Sequence, residues 1–273
     1  MPRGKKILLA AIYMLFLLAC AETALRIAGP AIKHTRSGYD SKADHVILSI
    51  GESTTYGLGV KVEDTYSSQL ESRLNRMNRT YTVVNKGVPS QTSTAILRTI
   101  DSLMMQYKPE LVVALLGVND FNEQLNDIRS IKGGIPRPLL SLRLYKLYAM
   151  ISDYLIEKII IRNGTMISFQ DNKPTFLLTN ESIEMLEYNC QEIINKVKGY
   201  GAQMIMLTYI SEGTAPVNEL IRQIAIKNTI TIVEFNRTIF NNTADFAADR
   251  WHPGRKGHAL IAESIYKAIE EAR

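Results

Sequence analysis

The stretch "ILSIGESTTYGLGV", residues 47–60, carries the reading of the fold. An apolar run over residues 46–50, broken only by Ser49, leads into Gly51, then Glu52, Ser53 and a series of small, turn-forming residues. A short, continuous, β-branched run of this kind reads as a strand buried on both faces. The polar residues at its exit then stand where open α/β sheets bind ligands, outside the carboxyl ends of the strands. Ser53 is either the N-cap of the next helix or a nucleophile, and the stretch alone leaves both open.

Further runs repeat the pattern. Residues 82–84, 111–116, 204–209 and 229–233 are strand candidates. Between them, residues 66–77, 92–107, 183–198 and 216–227 carry apolar side chains at helical spacing, and a last helix runs from about Gly254 to the end. Strand–helix alternation predicts a parallel, doubly wound α/β sheet. Residues 121–182 break the rhythm and read as an insertion. Its long helical candidate, "RPLLSLRLYKLYAMISDYLIEKIIIR" at 137–162, is expected over the carboxyl ends of the strands, as a lid, an acyl-binding wall, a membrane-leaning face or an ordinary surface helix.

The N-terminus differs in kind. Arg3, Lys5 and Lys6 precede an apolar run over residues 7–21, the layout of an export signal or signal anchor. That run is short for a bilayer crossing, which takes roughly 20 residues. "LLAC", ending at Cys20, resembles a bacterial lipobox. Residues 1–43 are therefore read as an anchor or signal segment with a linker from residue 22, and residues 44–273 as the main domain, placed outside the cytoplasm and tethered to the membrane by a signal anchor or by a lipid on Cys20. A cleaved, secreted product is the third option.

Composition excludes some classes. Of 273 residues, 46% are hydrophobic and 22% charged, a globular balance. The net charge of +5 is spread out, without the basic, aromatic-interleaved block that a nucleic-acid groove needs. Beyond Cys20 only Cys190 is present, so the exported part has no internal disulfide.

The polar residues at the strand exits form an inventory. Gly51, Glu52 and Ser53 follow the first strand, Asn85, Lys86 and Gly87 the second, and Gly117, Val118, Asn119 and Asp120 the third. "DRWHPGRKGH" precedes the last helix and supplies Asp249 and His252. Acyl transfer needs this set: a hydroxyl nucleophile, a base near its ordinary pKa, a carboxylate to hold the imidazole, and donors for an oxyanion. The amides of Ser53 and Gly87 and the side chain of Asn119 are the donor candidates. Taken singly, each residue has a blander role: Ser53 a cap, Asn119-Asp120 a turn, Gly87 a loop glycine, His252 a surface histidine.

In this order the blocks resemble the SGNH superfamily of GDSL-type esterases and lipases. "IGESTTYGLGV" followed by "DTYSSQLESRLN", then "VVNKGVPSQTS", "LVVALLGVNDF" and "DRWHPGRKGHALIA" are similar to its first, second, third and fifth blocks, covering residues 46–120 and 203–273. The resemblance implies a three-layer α/β/α, flavodoxin-like fold and acyl-ester hydrolysis with no metal or cofactor. It implies Ser53 as nucleophile, His252 as base, Asp249 as its partner, and Ser53, Gly87 and Asn119 as oxyanion hole. His258 is structural on this reading. Two positions depart from the pattern: Glu52 stands where Asp is usual, and Ser90 where a second glycine is common.

Other readings fit less well. An α/β-hydrolase elbow has Gly-x-Ser-x-Gly, but Thr55 occupies the last glycine's place. A phosphate loop needs a lysine that residues 51–59 lack. His34, His45, His252 and His258 form no metal-ligand pattern. An inactive membrane-tethered binding module is the alternative from another class. An acyltransferase using the same triad, with a sugar hydroxyl in place of water, is the other.

Overall fold

The computed structural model describes residues 3–37, 43–77, 80–121, 144, 178–211, 213–235, 240, 242–247 and 249–272. The helical candidate at 137–162 and most of the expected insertion lie outside the described residues. The chain divides into two compact units, Met1–Thr35 with Asn126–Asn172, and Arg36–Leu125 with Lys173–Arg273.

In the first unit, helix α1 (Arg3–Ser37) takes in both the apolar run and residues 22–37, read above as linker. Ala-rich sequence and the Glu22–Arg26 pair, one turn apart at 2.7 Å, favour continuation of the helix there. Leu9, Ile12, Tyr13, Met14, Phe16, Leu17 and Leu18 on α1 are exposed. Among the described residues, no helix is long and apolar enough to cross a membrane.

The second unit holds a five-stranded sheet: β1 (His45–Gly51), β2 (Tyr81–Gly87), β3 (Leu111–Leu115), β4 (Gln203–Leu207) and β5 (Thr231–Val233). The order is β2-β1-β3-β4-β5, and every pairing is parallel. This is the expected flavodoxin-like arrangement, with the order reversing beside β1, the switch point at which such sheets bind ligands. Register aligns the exits: Gly51 pairs with Gly87 on one side and Leu115 on the other. β2 runs past its apolar core to Gly87, because Asn85 and Lys86 continue the ladder opposite Ser49 and Ile50.

Between the strands lie α2 (Ser53–Tyr56), α3 (Tyr66–Leu74), α4 (Ser93–Leu97), α5 (Ile100–Tyr107), α6 (Asn180–Gly199), α7 (Ala215–Lys227) and α8 (Arg255–Glu271). The expected 92–107 helix is two helices. The Thr99 hydroxyl bonds back to the carbonyls of Ala95 and Ile96 and breaks the run there. Ile47, Leu48 and Ile50 of β1 and all of β3 are buried, and they share one core with Leu70 of α3, Ile193 and Ile194 of α6, and Ile261 and Ile265 of α8. Cys190 lies in this core, its thiol pushed up by burial.

Candidate active site

The candidate residues meet at the carboxyl edge of the sheet. β1 ends at Gly51, whose φ of 157° and tight surroundings suit glycine: a Cβ there would stand 2.2 Å from Thr55 Oγ1 and 2.7 Å from the Leu115 carbonyl. The chain then turns into α2. Its N-cap is Glu52, not Ser53: Glu52 Oε2 accepts the Thr54 amide at 3.0 Å. Ser53 is thereby left as the first residue of the helix, with its amide where a helix has no internal acceptor and its hydroxyl turned toward the sheet edge.

Ser53 Oγ lies 2.8 Å from His252 Nε2, and His252 Nδ1 lies 2.6 Å from Asp249 Oδ2. The "DRWH" loop builds this locally. Asp249 Oδ1 accepts the amides of Trp251 and His252 at 2.9 and 3.0 Å, so one carboxylate oxygen folds the loop while the other meets the ring. The left-handed Arg250, φ 59°, makes the reversal between them. Ser211 Oγ donates to the Trp251 carbonyl at 2.7 Å and ties the loop to the segment after β4. Burial pushes the Asp249 carboxyl up, but the hydrogen bond and charge of His252 together with the two amides outweigh it and hold the carboxyl below its ordinary value.

Asn119 is 8% exposed, in the turn Val118–Asp120 after β3, and donates from Nδ2 to the Gln91 carbonyl at 3.0 Å. An amide nitrogen carries a second N–H beyond the one given to Gln91. Asp120 fastens this turn to α4, accepting the amide and hydroxyl of Ser93 at 3.0 and 2.7 Å. Asn189 of α6 adds Nδ2 bonds to Ser93 Oγ and Thr94 Oγ1, each 2.8 Å.

Gly87 is placed beside the turn at Ser53–Tyr56, where a Cβ would come 2.2 Å from the Tyr56 amide nitrogen. Its N–H, however, goes to Asn85 Oδ1 at 2.9 Å, while Asn85 Nδ2 donates to the Thr55 carbonyl at 2.6 Å. Asn85 thus clamps the ends of β2 and α2 together and takes up the Gly87 amide. A side chain bonding two residues ahead is a local Asn habit, the one signal by which the sequence could have pointed to it. Ser90, where the resemblance has glycine, adopts a left-handed φ of 58°. His258, in α8, is fully buried and accepts the Tyr66 amide on Nδ1 at 3.1 Å. Among the described residues, no group of His, Cys, Asp or Glu could hold a metal ion.

Fold and site define a flavodoxin-like α/β architecture with a serine at the switch point. Residues 49–260 match the GDSL-like Lipase/Acylhydrolase family, and the chain belongs to that family. Among curated relatives it is 27% identical over 113 residues to an arylesterase of Vibrio mimicus, covering 41% of this chain and 52% of the relative. It is 33% identical over 78 residues to Esterase TesA of Pseudomonas aeruginosa, covering 29% of this chain and 39% of the relative. The chain thus spans about half, or less, of the length of the curated relatives it matches. The fold is similar to that of the esterase EstA of Pseudoalteromonas sp., with TM-score 0.55 and 18% identity over 84% of this chain and 98% of that one. It is also similar to the structure of TesA, with TM-score 0.54 and 18% identity over 83% and 99%.

Proposed function

We propose that the chain is a serine esterase that hydrolyses an acyl ester through an acyl-enzyme on Ser53. The observation that carries this reading is the unbroken line Asp249–His252–Ser53, with contacts of 2.6 and 2.8 Å. Membership of a lipase/acylhydrolase family and similarity to an arylesterase and an esterase support it.

In this reading Ser53 Oγ attacks the ester carbonyl as its proton passes to His252 Nε2. Asp249 keeps the proton on Nδ1 and stabilises the imidazolium. The oxyanion is met by the Ser53 amide and the second N–H of Asn119 Nδ2. Gly87 contributes only when Asn85 releases its amide. Collapse of the intermediate passes the proton from Nε2 to the departing alcohol. Water, deprotonated by the same nitrogen, then frees the acid and restores Ser53. O-acylated polysaccharide and lipid esters are the substrate classes that suit an exported enzyme.

The proposal includes a membrane tether through α1, by the helix itself or by a lipid on Cys20. Seven large apolar side chains exposed between residues 9 and 18, behind Arg3, Lys5 and Lys6, support it. Fractionation of the whole chain tests it: recovery in the soluble fraction alone would exclude a tether, and the mass of Cys20 separates the two routes.

The catalytic test is turnover of p-nitrophenyl esters of short and long chain by the wild type and Ser53→Ala. Loss of turnover in the variant is expected. Undiminished activity would remove Ser53 from the role of nucleophile.

A further inference from the structure

The Ser53 hydroxyl has one proton and two acceptors competing for it. His252 Nε2 lies at 2.8 Å, and Glu52 Oε2 at 2.5 Å. Glu52 is only 3% exposed. Its Oε2 also caps α2 through the Thr54 amide, so the carboxylate cannot swing aside without releasing the helix. Its other oxygen, Oε1, is buried and makes no hydrogen bond among the described residues.

A proton count sharpens the competition. The line Asp249–His252–Ser53–Glu52 contains three contacts, each of which needs one proton. With the imidazole neutral and both carboxyls ionised, the ring and the hydroxyl supply two. One contact is left without a proton, and a carboxylate is a stronger acceptor than a neutral ring nitrogen. We propose that Glu52 is a positioning residue that holds the Ser53 hydroxyl away from His252, so that the nucleophile rests in a restrained state. Aspartate in its place would be one methylene too short to cap Thr54 and reach Oγ together. Attack then requires the hydroxyl to rotate from Oε2 to Nε2 before the proton passes to the ring. The inference rests on Ser53 being the nucleophile.

The test is the rate of labelling by a fluorophosphonate. In that reaction the Ser53 Oγ–P bond forms, the P–F bond breaks, fluoride leaves with its electron pair, and the hydroxyl proton goes to His252. Glu52→Gln keeps the size and the cap but removes the charge. Glu52→Asp keeps the charge and the cap but draws back from Oγ. Both are expected to label faster than wild type, by about three- to tenfold, Glu52→Gln because a neutral acceptor holds the hydroxyl less tightly and Glu52→Asp because the carboxylate no longer reaches it. Both should raise kcat on p-nitrophenyl acetate with KM unchanged. A residue that only shapes the turn gives no gain, and labelling no faster than wild type in both variants overturns the proposal.

A measurement on the wild type needs no variant at position 52 to fold. At about pH 8, where an ordinary imidazole is neutral, the 15N shift of His252 Nε2 should be that of a nitrogen accepting no hydrogen bond, and should change little in Ser53→Ala. A shift showing an accepted hydrogen bond overturns the restraint. Labelling that persists in Ser53→Ala defeats the nucleophile assignment itself. An inert Ser53→Ala beside unaccelerated Glu52 variants defeats only the role of Glu52.

Discussion

His258 Nδ1 accepts the backbone amide of Tyr66 at 3.1 Å, joining the first turn of α8 to the first turn of α3. The two residues are 192 positions apart, and their rings stack at 6.0 Å. The bond requires an unprotonated Nδ1, so the proton of the neutral ring sits on Nε2, which is buried and unpartnered among the described residues. Burial, and secondarily the charge of His252, push this imidazole down to about 4.

This has a consequence for stability. The unfolded chain binds a proton on His258 below its ordinary value, while the folded chain refuses it until about pH 4. Stability therefore falls as pH drops from about 6.5 toward 4, by up to about 3 kcal/mol. Asp249, held low in the fold, adds a loss of the same sign at lower pH. Urea unfolding of the wild type and His258→Gln at pH 7.5 and 5 checks it: the variant should be weaker at pH 7.5 but show a flatter acid slope. Parallel slopes would remove His258 as the cause.

Asp249→Asn should leave the fold intact and lower kcat by about 10³–10⁴-fold, since an amide can present its N–H to Nδ1 and hold the ring in the wrong tautomer. Steady-state kinetics beside a thermal melt would show it. A loss below tenfold would mean that the carboxylate serves the loop through Trp251 and His252 more than it serves the ring.

Asn119→Ala should reduce kcat by about 10²–10³-fold, the usual cost of one oxyanion donor, with little change in KM. The variant also frees the Gln91 carbonyl, so a melt is needed beside the kinetics. A rise in KM with kcat kept would reassign Asn119 to substrate binding.

Gly87→Ala should destabilise the protein by about 1–3 kcal/mol, because the new methyl group meets the backbone of Thr55 and Tyr56 and those segments cannot retreat far. Asn85→Ala separates packing from chemistry: it loosens the clamp but releases the Gly87 amide. Faster turnover per folded molecule would show that the released amide serves the oxyanion, and slower turnover that the clamp matters more.

Much of the fold was legible because its causes are local. Apolar runs such as 111–115 and helical spacing such as 183–198 state burial directly, and alternation of the two implies a parallel sheet. The breaks were harder to see. Thr99 divides a helix through hydroxyl bonds that periodicity does not register, and residues 22–37 continue a helix despite Gly29 and Pro30.

For the site, the sequence by itself determined the inventory: a serine past the first strand, Asn119 past the third, and Asp249 three residues before His252. Spacing alone makes the Asp249–His252 contact reachable, because a carboxylate can fold its own loop. Only the tertiary structure decided that Ser53 meets a ring 199 residues away, since parallel pairing in register brings separate strand exits to one edge. It also decided where single protons and amides go. Asn85 takes the Gly87 N–H, and Glu52 rather than Ser53 caps α2 and reaches the Ser53 hydroxyl. Such choices turn on differences of a few tenths of an ångström between competing acceptors, which arise only once all the partners are packed.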